Sequence, residues 1–144
     1  MVELDVHPKT ATVADIVDWI EKGKLDFDKS APTNCKIFEY LRMYAPSGVC
    51  VIKYNFDNET KPDVIFNVYA GHTLINTIYK YLIQNEPFEN MSIFEEYNGK
   101  SFKDMDFSFR RRVREAEITL FLDYSDNKDD TRLLDYIKTI NVSD

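Results

Sequence analysis

The stretch Val64-Ile65-Phe66-Asn67-Val68-Tyr69-Ala70-Gly71-His72-Thr73-Leu74-Ile75-Asn76-Thr77-Ile78-Tyr79-Lys80-Tyr81-Leu82 changes its period part-way along. Residues 64–69 form a short run rich in β-branched and aromatic side chains, which predicts a strand. Over 74–84 the apolar positions Leu74, Ile75, Ile78, Tyr81 and Leu82 recur at helical spacing. A strand that passes through a glycine into a helix is a building unit of α/β and α+β domains.

Working outward, Val49-Cys50-Val51-Ile52 with Tyr54 and Phe56 predicts a second strand, separated from the first by the turn-rich Asp57–Asp63. Further upstream, Thr12 stands as an N-cap and Asp15 completes a capping-box-like pair. Val13, Ile16, Val17 and Ile20 then make one apolar stripe of a helix near 13–22, with Gly23 placed to end it. A second helix is expected over 34–44, with Ile37, Tyr40, Leu41 and Tyr44 inward, before Pro46-Ser47-Gly48 breaks it. Downstream, Asn98-Gly99 signals a hairpin. Asp106 is placed to cap a short basic helix reaching Arg114, Ile118–Leu122 reads as a strand, and a last helix is expected near 130–140. The whole is expected to be α/β (α+β), one domain over 1–144, with a small mixed sheet and helices around it.

The composition agrees with that expectation. The chain has 144 residues, 44% of them hydrophobic and 14% aromatic, which excludes wholesale disorder. At this length folding buries roughly 68–70% of the unfolded surface, so a core forms without staples. The formal net charge of −7 argues against broad nonspecific DNA binding, which needs Lys and Arg on phosphates. A nucleic-acid partner is therefore not expected. No apolar run approaches the ~18 residues of a membrane span, so no membrane partner is expected either. The acidic start, Met1-Val2-Glu3-Leu4-Asp5, carries no apolar leader core. A cytoplasmic, reducing setting is expected, with Cys35 and Cys50 as buried thiols.

Three places invite chemistry. The turn at Gly71 presents backbone N–H groups at a helix start, which suits an anion. It has one glycine and no lysine, so neither a P-loop nor a dinucleotide fingerprint is present. His72 has a side chain suited to proton transfer near neutrality, yet no carboxylates cluster beside it in sequence, and an ordinary turn histidine is expected. Arg110, Arg111, Arg112 and Arg114 form the densest basic cluster, readable as a solvated face or as a contact for a phosphate or an acidic partner. Asp123, Asp126, Asp129 and Asp130 lack the glycine and terminal glutamate of an EF-hand loop, so a turn with an N-cap is expected and no metal. No cofactor is expected.

Val68–Leu82 resembles the segment reading roughly V-x-D-G-Q-Q-R-L-T-T-I-Y-x-F-L in the ParB-like N-terminal domain of GmrSD-type restriction endonucleases. Thr12–Leu25 resembles that family's opening helix, and Tyr97–Met105 its L-N-G-K-x-F-x-D-L segment. Phe109–Val113 with Ile118–Leu120 is similar to its helix-and-strand pair, and Leu133–Asn141 to its helix ending in R-L-N. The resemblance spans about residues 12–141 and implies a ParB-like fold. It also implies a vestigial nucleotide-site turn at Gly71, His72, Thr73, Asn76 and Thr77, of which Gly71 alone matches the D-G-Q-Q-R core. The family's Asp and Arg, implied in nucleotide hydrolysis, align with Ala70 and Leu74. The early P-x-Y-Q-R-x-Y-x-W is replaced by Asp28–Thr33, and the sequence stops at Asp144 where the family continues toward a nuclease domain. A carboxylate that could orient water and a cation that could stabilise phosphate charge are both missing from those positions.

The expected function is accordingly non-catalytic. A degenerate ParB-like scaffold would serve as a binding or assembly module, with a protein partner or copies of itself. Few Ala and Gly beside many Asn, Lys, Ile, Tyr and Phe point to an AT-rich genome, hence to a virion component or an inhibitor of a host enzyme. Two other readings stand beside it: a diverged NTP-dependent nuclease subunit with a weak nucleotide site, and an acidic DNA mimic.

Overall fold

A computed structural model describes residues 5–42, 49–125 and Asp135. Strand β1 (Val6–Thr12) leads directly into helix α1 (Val13–Glu21), followed by the two-residue strand β2 (Leu25–Asp26) and helix α2 (Lys36–Arg42). Strands β3 (Val49–Tyr54) and β4 (Phe66–Ala70) come next, then helix α3 (His72–Ile78), which widens into a π-helical turn over Tyr79–Ile83. Helix α4 (Phe107–Glu115) and strand β5 (Glu117–Asp123) complete the described elements. The strands form one mixed sheet in the order β1-β5-β3-β4-β2. β1 is antiparallel to β5 and β3 to β4, whereas β3 with β5 and β2 with β4 are parallel. The α+β class with a mixed sheet is as the sequence predicts.

The register explains the core. Cys50 pairs with Leu120 and Ile52 with both Leu122 and Val68, and all of these side chains are buried on one face. Against that face pack Val13 and Ile16 of α1, Phe38 and Leu41 of α2, Ile75 and Ile78 of α3, and Phe109 and Val113 of α4. α1 is built as its sequence implies. The Thr12 hydroxyl accepts from Asp15 N at 3.1 Å while the Asp15 carboxylate accepts from Thr12 N at 3.0 Å. At the other end Gly23, at φ +69°, donates to Ile20 O, and Lys24 N reaches Trp19 O at 2.9 Å, the paired bonds of a Schellman ending.

Two strands go beyond the elements read from the sequence, and three expectations are corrected. β1 lies outside the predicted elements because Pro8 and a run of four exposed residues, His7 to Thr10, disguise it. It is an edge strand, where a missing N–H and a lysine are tolerated and discourage further pairing. β2 is too short to have a period. In α2, Tyr40 is 41% exposed and its inward place is taken by Phe38 and Cys35. Phe38 wins because it sits 5.4 Å from the Phe88 ring and 6.1 Å from Tyr81, inside an aromatic cluster. The continuous helix expected over 74–84 begins earlier and changes pitch at Tyr79, where Gln84 N bonds back five residues to Tyr79 O at 3.0 Å.

Asn98-Gly99, finally, does not turn a strand hairpin. A single turn of 3-10 helix at Glu95–Tyr97 precedes it, and Phe88 exchanges backbone bonds with Gly99 and Lys100 to close a loop. The Asn98 side chain locks that loop by bonding both the N–H and the carbonyl of Met91. The helix predicted near 130–140 and the breaker at Pro46–Gly48 lie outside the described residues, Asp135 excepted.

Candidate functional site

The Gly71 turn is shaped by its neighbour strand. Gly71 has φ +92°, and a Cβ there would lie 2.9 Å from Val49 O and 3.0 Å from Cys50 Cα. The glycine lets β4 turn into α3 against β3 without collision, which is a packing requirement independent of any ligand. Ala70 and Leu74, which flank the turn, are both buried.

The polar residues of the turn are engaged by the protein's own chain. Asn76, buried on the inner face of α3, donates from Nδ2 to Ala31 O at 2.5 Å and to Lys29 O at 3.3 Å. Thr77 Oγ1 donates to Thr73 O at 2.6 Å and accepts from Asn34 N at 3.0 Å. His72 Nδ1 accepts from Asp28 N at 3.4 Å. The Asp28–Asn34 loop thus lies across the start of α3 and is held by His72, Asn76 and Thr77, while Gly71 packs against β3 and Thr73 accepts from Thr77 within the helix. The loop is itself organised. Both the amide and the hydroxyl of Ser30 donate to Asp28 Oδ1, which holds the Asp28 carboxyl below its ordinary range. Lys29 Nζ lies over the Phe27 and Tyr79 rings at 5.8 and 5.2 Å.

The arginines divide. Phe109 and Val113 bury one side of α4, capped by Asp106 Oδ1 on Phe109 N at 2.8 Å. Helical spacing from those two turns Phe107, Arg110, Arg111 and Arg114 to the opposite side. There they line a groove of about 390 Å³ together with Glu115. Arg112 is half-buried and does not line it. The four-arginine cluster read from sequence is therefore a three-arginine face plus one flanking residue. Arg111 Nε pairs with Glu115 at 3.2 Å, both side chains largely exposed. The Arg114 guanidinium stacks 5.5 Å from the centre of the Phe102 ring. Arg110 Nε is buried without a hydrogen-bond partner. Phe107, 69% exposed at the groove rim, went unremarked in the sequence, although its spacing to Arg110, Arg111 and Arg114 is that of one helix face.

A second groove of about 400 Å³ adjoins the first, with Arg114 as a shared wall. It is lined by Ala14, Val17, Asp18 and Glu21 of α1 and by Leu82 beyond α3. The first groove gathers three arginines and Glu115 beside Phe107, and the second sets Asp18, Glu21 and Arg114 among Ala14, Val17, Leu82 and Phe102.

Asp123 is buried and accepts from both the amide and the hydroxyl of Ser125, the turn role expected of it; Asp126, Asp129 and Asp130 lie outside the described residues. Among the described residues no group of three His, Cys, Asp or Glu side chains could hold a metal ion, and no helix is long and apolar enough to cross a membrane. Sequence reading also passed over Glu39. Its buried carboxylate accepts from Ser92 N at 3.1 Å, Ile93 N at 2.6 Å and Phe94 N at 2.7 Å, anchoring that loop to α2. Comparison with protein-family models, curated proteins and solved structures finds no match.

Proposed function

We propose that this chain works by contact rather than by catalysis, as a protein-binding or assembly module on a degenerate ParB-like scaffold. The observation that carries the reading is the occupation of the α3 turn. Asn76 and Thr77 hold the backbone of Ala31 and Asn34, so these two polar side chains of α3 are engaged within the chain. Where the resembling family has an acid and an arginine, buried Ala70 and Leu74 offer neither water activation nor phosphate neutralisation. The accessible chemistry lies instead on α4, where Arg110, Arg111 and Arg114 flank an exposed Phe107. Arginine beside an aromatic ring is the composition enriched in protein interfaces.

The test is turnover. Purified full-length protein with Mg²⁺ and ATP, GTP or UTP is expected to release no phosphate above a buffer blank. Calorimetric titration is expected to show nucleotide binding no tighter than about millimolar. Hydrolysis that disappears on changing His72 or Thr73, or micromolar nucleotide affinity, would replace this reading with that of a diverged NTP-dependent enzyme.

A further inference from the structure

The core face of the sheet ends in a row of aromatic rings. Along β3 the buried Cys50 and Ile52 are followed on the same face by Tyr54, and along β5 the buried Leu120 and Leu122 are followed by Tyr124. Tyr54 pairs with Phe66 of β4, and His7 of β1 pairs with Leu122. Adjacent strands therefore set His7, Tyr124, Tyr54 and Phe66 side by side, with successive ring centres 5.8, 5.8 and 6.1 Å apart. Phe56 stands 4.9 Å from Tyr54, and Trp19 of α1 stands 6.0 Å from Phe66. Ile52 and Leu122, one row earlier, are buried, but Tyr54, Phe56 and Tyr124 are 38%, 47% and 37% exposed. An exposed cluster of apolar rings rimmed by polar groups marks an interaction surface.

The rim is acidic. Buried Asn55 holds the loop beside Tyr54 and Phe56, accepting from Asp57 N at 3.0 Å and donating to the carbonyls of Asp57, Lys61 and Val64. That loop exposes Asp57, Glu59 and Asp63 against a single cation, Lys61, which is paired with Asp26. Hydrogen bonds from Thr60 hold the Asp57 carboxyl below its ordinary range, so it is ionised at neutral pH. We propose that the row is a docking face for an arginine-bearing segment of a partner protein. This rests on the reading of the chain as a contact module and gives it a second face, with no residue in common with the α4 groove. A guanidinium stacks flat on an exposed ring and keeps its N–H groups for carboxylates at the ring's edge. Phe56, followed directly by Asp57, supplies both, and a net charge of −7 draws a cationic segment in from a distance. The same charge disfavours the other occupants. Single-stranded nucleic acid stacks on rings only where cations track its backbone, and a second copy of the chain brings like charge.

The experiment is fluorescence anisotropy of a labelled peptide of Arg, Gly and Ser at physiological salt. It is compared with the same peptide carrying Lys for Arg and with labelled oligothymidine. The full chain is used as wild type, as Phe56→Ser, as Tyr54→Ala and as the double variant Glu59→Lys with Asp63→Lys, each shown to be folded by thermal melting. Wild type is expected to bind the arginine peptide, the lysine peptide at least about threefold more weakly, and oligothymidine not at all. Each ring variant keeps the net charge and is expected to raise the dissociation constant at least about threefold, the scale of one cation–π contact at an exposed site. The charge-reversed variant is expected to bind more weakly still and to lose most of the salt dependence. Attraction to overall negative charge alone would ignore the rings, so binding indifferent to Phe56→Ser overturns the proposal. An arginine peptide that fails to bind up to millimolar, or oligothymidine that binds more tightly, does the same. Should Tyr54→Ala fail to fold, Phe56→Ser at the more exposed ring decides. Failure here leaves α4 as the contact face, whereas nucleotide turnover would remove the contact reading and leave the peptide result untouched.

Discussion

Asn76 on α3 donates its side-chain amide to the carbonyl of Ala31, 45 positions earlier, at 2.5 Å. The bond ties the loop after β2 to α3, the helix that follows the Gly71 turn. The same side chain also reaches Lys29 O, so one amide group holds two turns of the loop.

Removing that amide tests how much of the loop's anchorage depends on it. Asn76→Ala leaves two carbonyls without their donor and opens a small void in a buried position, so it is expected to cost about 1–3 kcal/mol in urea unfolding. Limited proteolysis is expected to cut within 28–34 faster than in wild type, with cleavage elsewhere unchanged. Equal protection of the loop would mean that Thr77 and His72 hold it unaided.

Two glycines with positive φ separate backbone strain from collision. Gly23→Ala meets nothing within 4 Å and is expected to cost about 1 kcal/mol for the left-handed backbone alone. Gly71→Ala adds a contact of 2.9 Å to the backbone oxygen of Val49, which neither strand can yield without losing pairing. Its cost is expected to exceed that of Gly23→Ala by at least about 1–2 kcal/mol. Chemical denaturation of the two variants side by side gives the difference, and equal costs would refute the packing role assigned to Gly71.

Glu39 accepts three consecutive backbone N–H groups while almost fully buried. Glu39→Ala leaves those donors unpaired, with an expected cost of at least about 2 kcal/mol. Hydrogen exchange of the amides of Ser92, Ile93 and Phe94 is expected to accelerate together. A neutral substitution would show that water replaces the carboxylate without loss.

Alkaline pH is expected to weaken the fold through Cys35 and Tyr81. Burial is the leading cause that raises both groups above their ordinary values of 9.0 and 10.0. At neutral pH both are protonated in the folded and unfolded chain, and their contribution is fully present. As pH rises past the ordinary values, the unfolded chain ionises first, and stability falls until the raised folded values are passed. The urea midpoint is expected to hold steady below about pH 8.5 and to decline above about pH 9. Cys35→Ala is expected to flatten the first part of that decline and Tyr81→Phe the later part.

What was legible in the sequence was local. The Thr12–Asp15 capping box, the Gly23 ending, the Asp106 cap and the strand-to-helix change at Gly71 each depend on residues a few positions apart, so their chemistry is written in adjacent letters. The α+β class followed from that order of elements. β1 and β2 were hidden because an edge strand and a two-residue strand owe their pairing to β5 and β4, not to their own alternation. The candidate site divides in the same way. The residues Gly71, His72, Thr73, Asn76 and Thr77 could be named from a motif, but not that the loop from Asp28 to Asn34 bonds to His72, Asn76 and Thr77. Likewise, four arginines could be counted in a row, yet which three share a groove follows from the burial of Phe109 and Val113 on the other side of α4. Sequence alone determined the capped helices and the strand-to-helix change at Gly71, because helix caps and periods are short-range. Tertiary structure decided the surface, because burial on one face of a helix dictates what remains on the other.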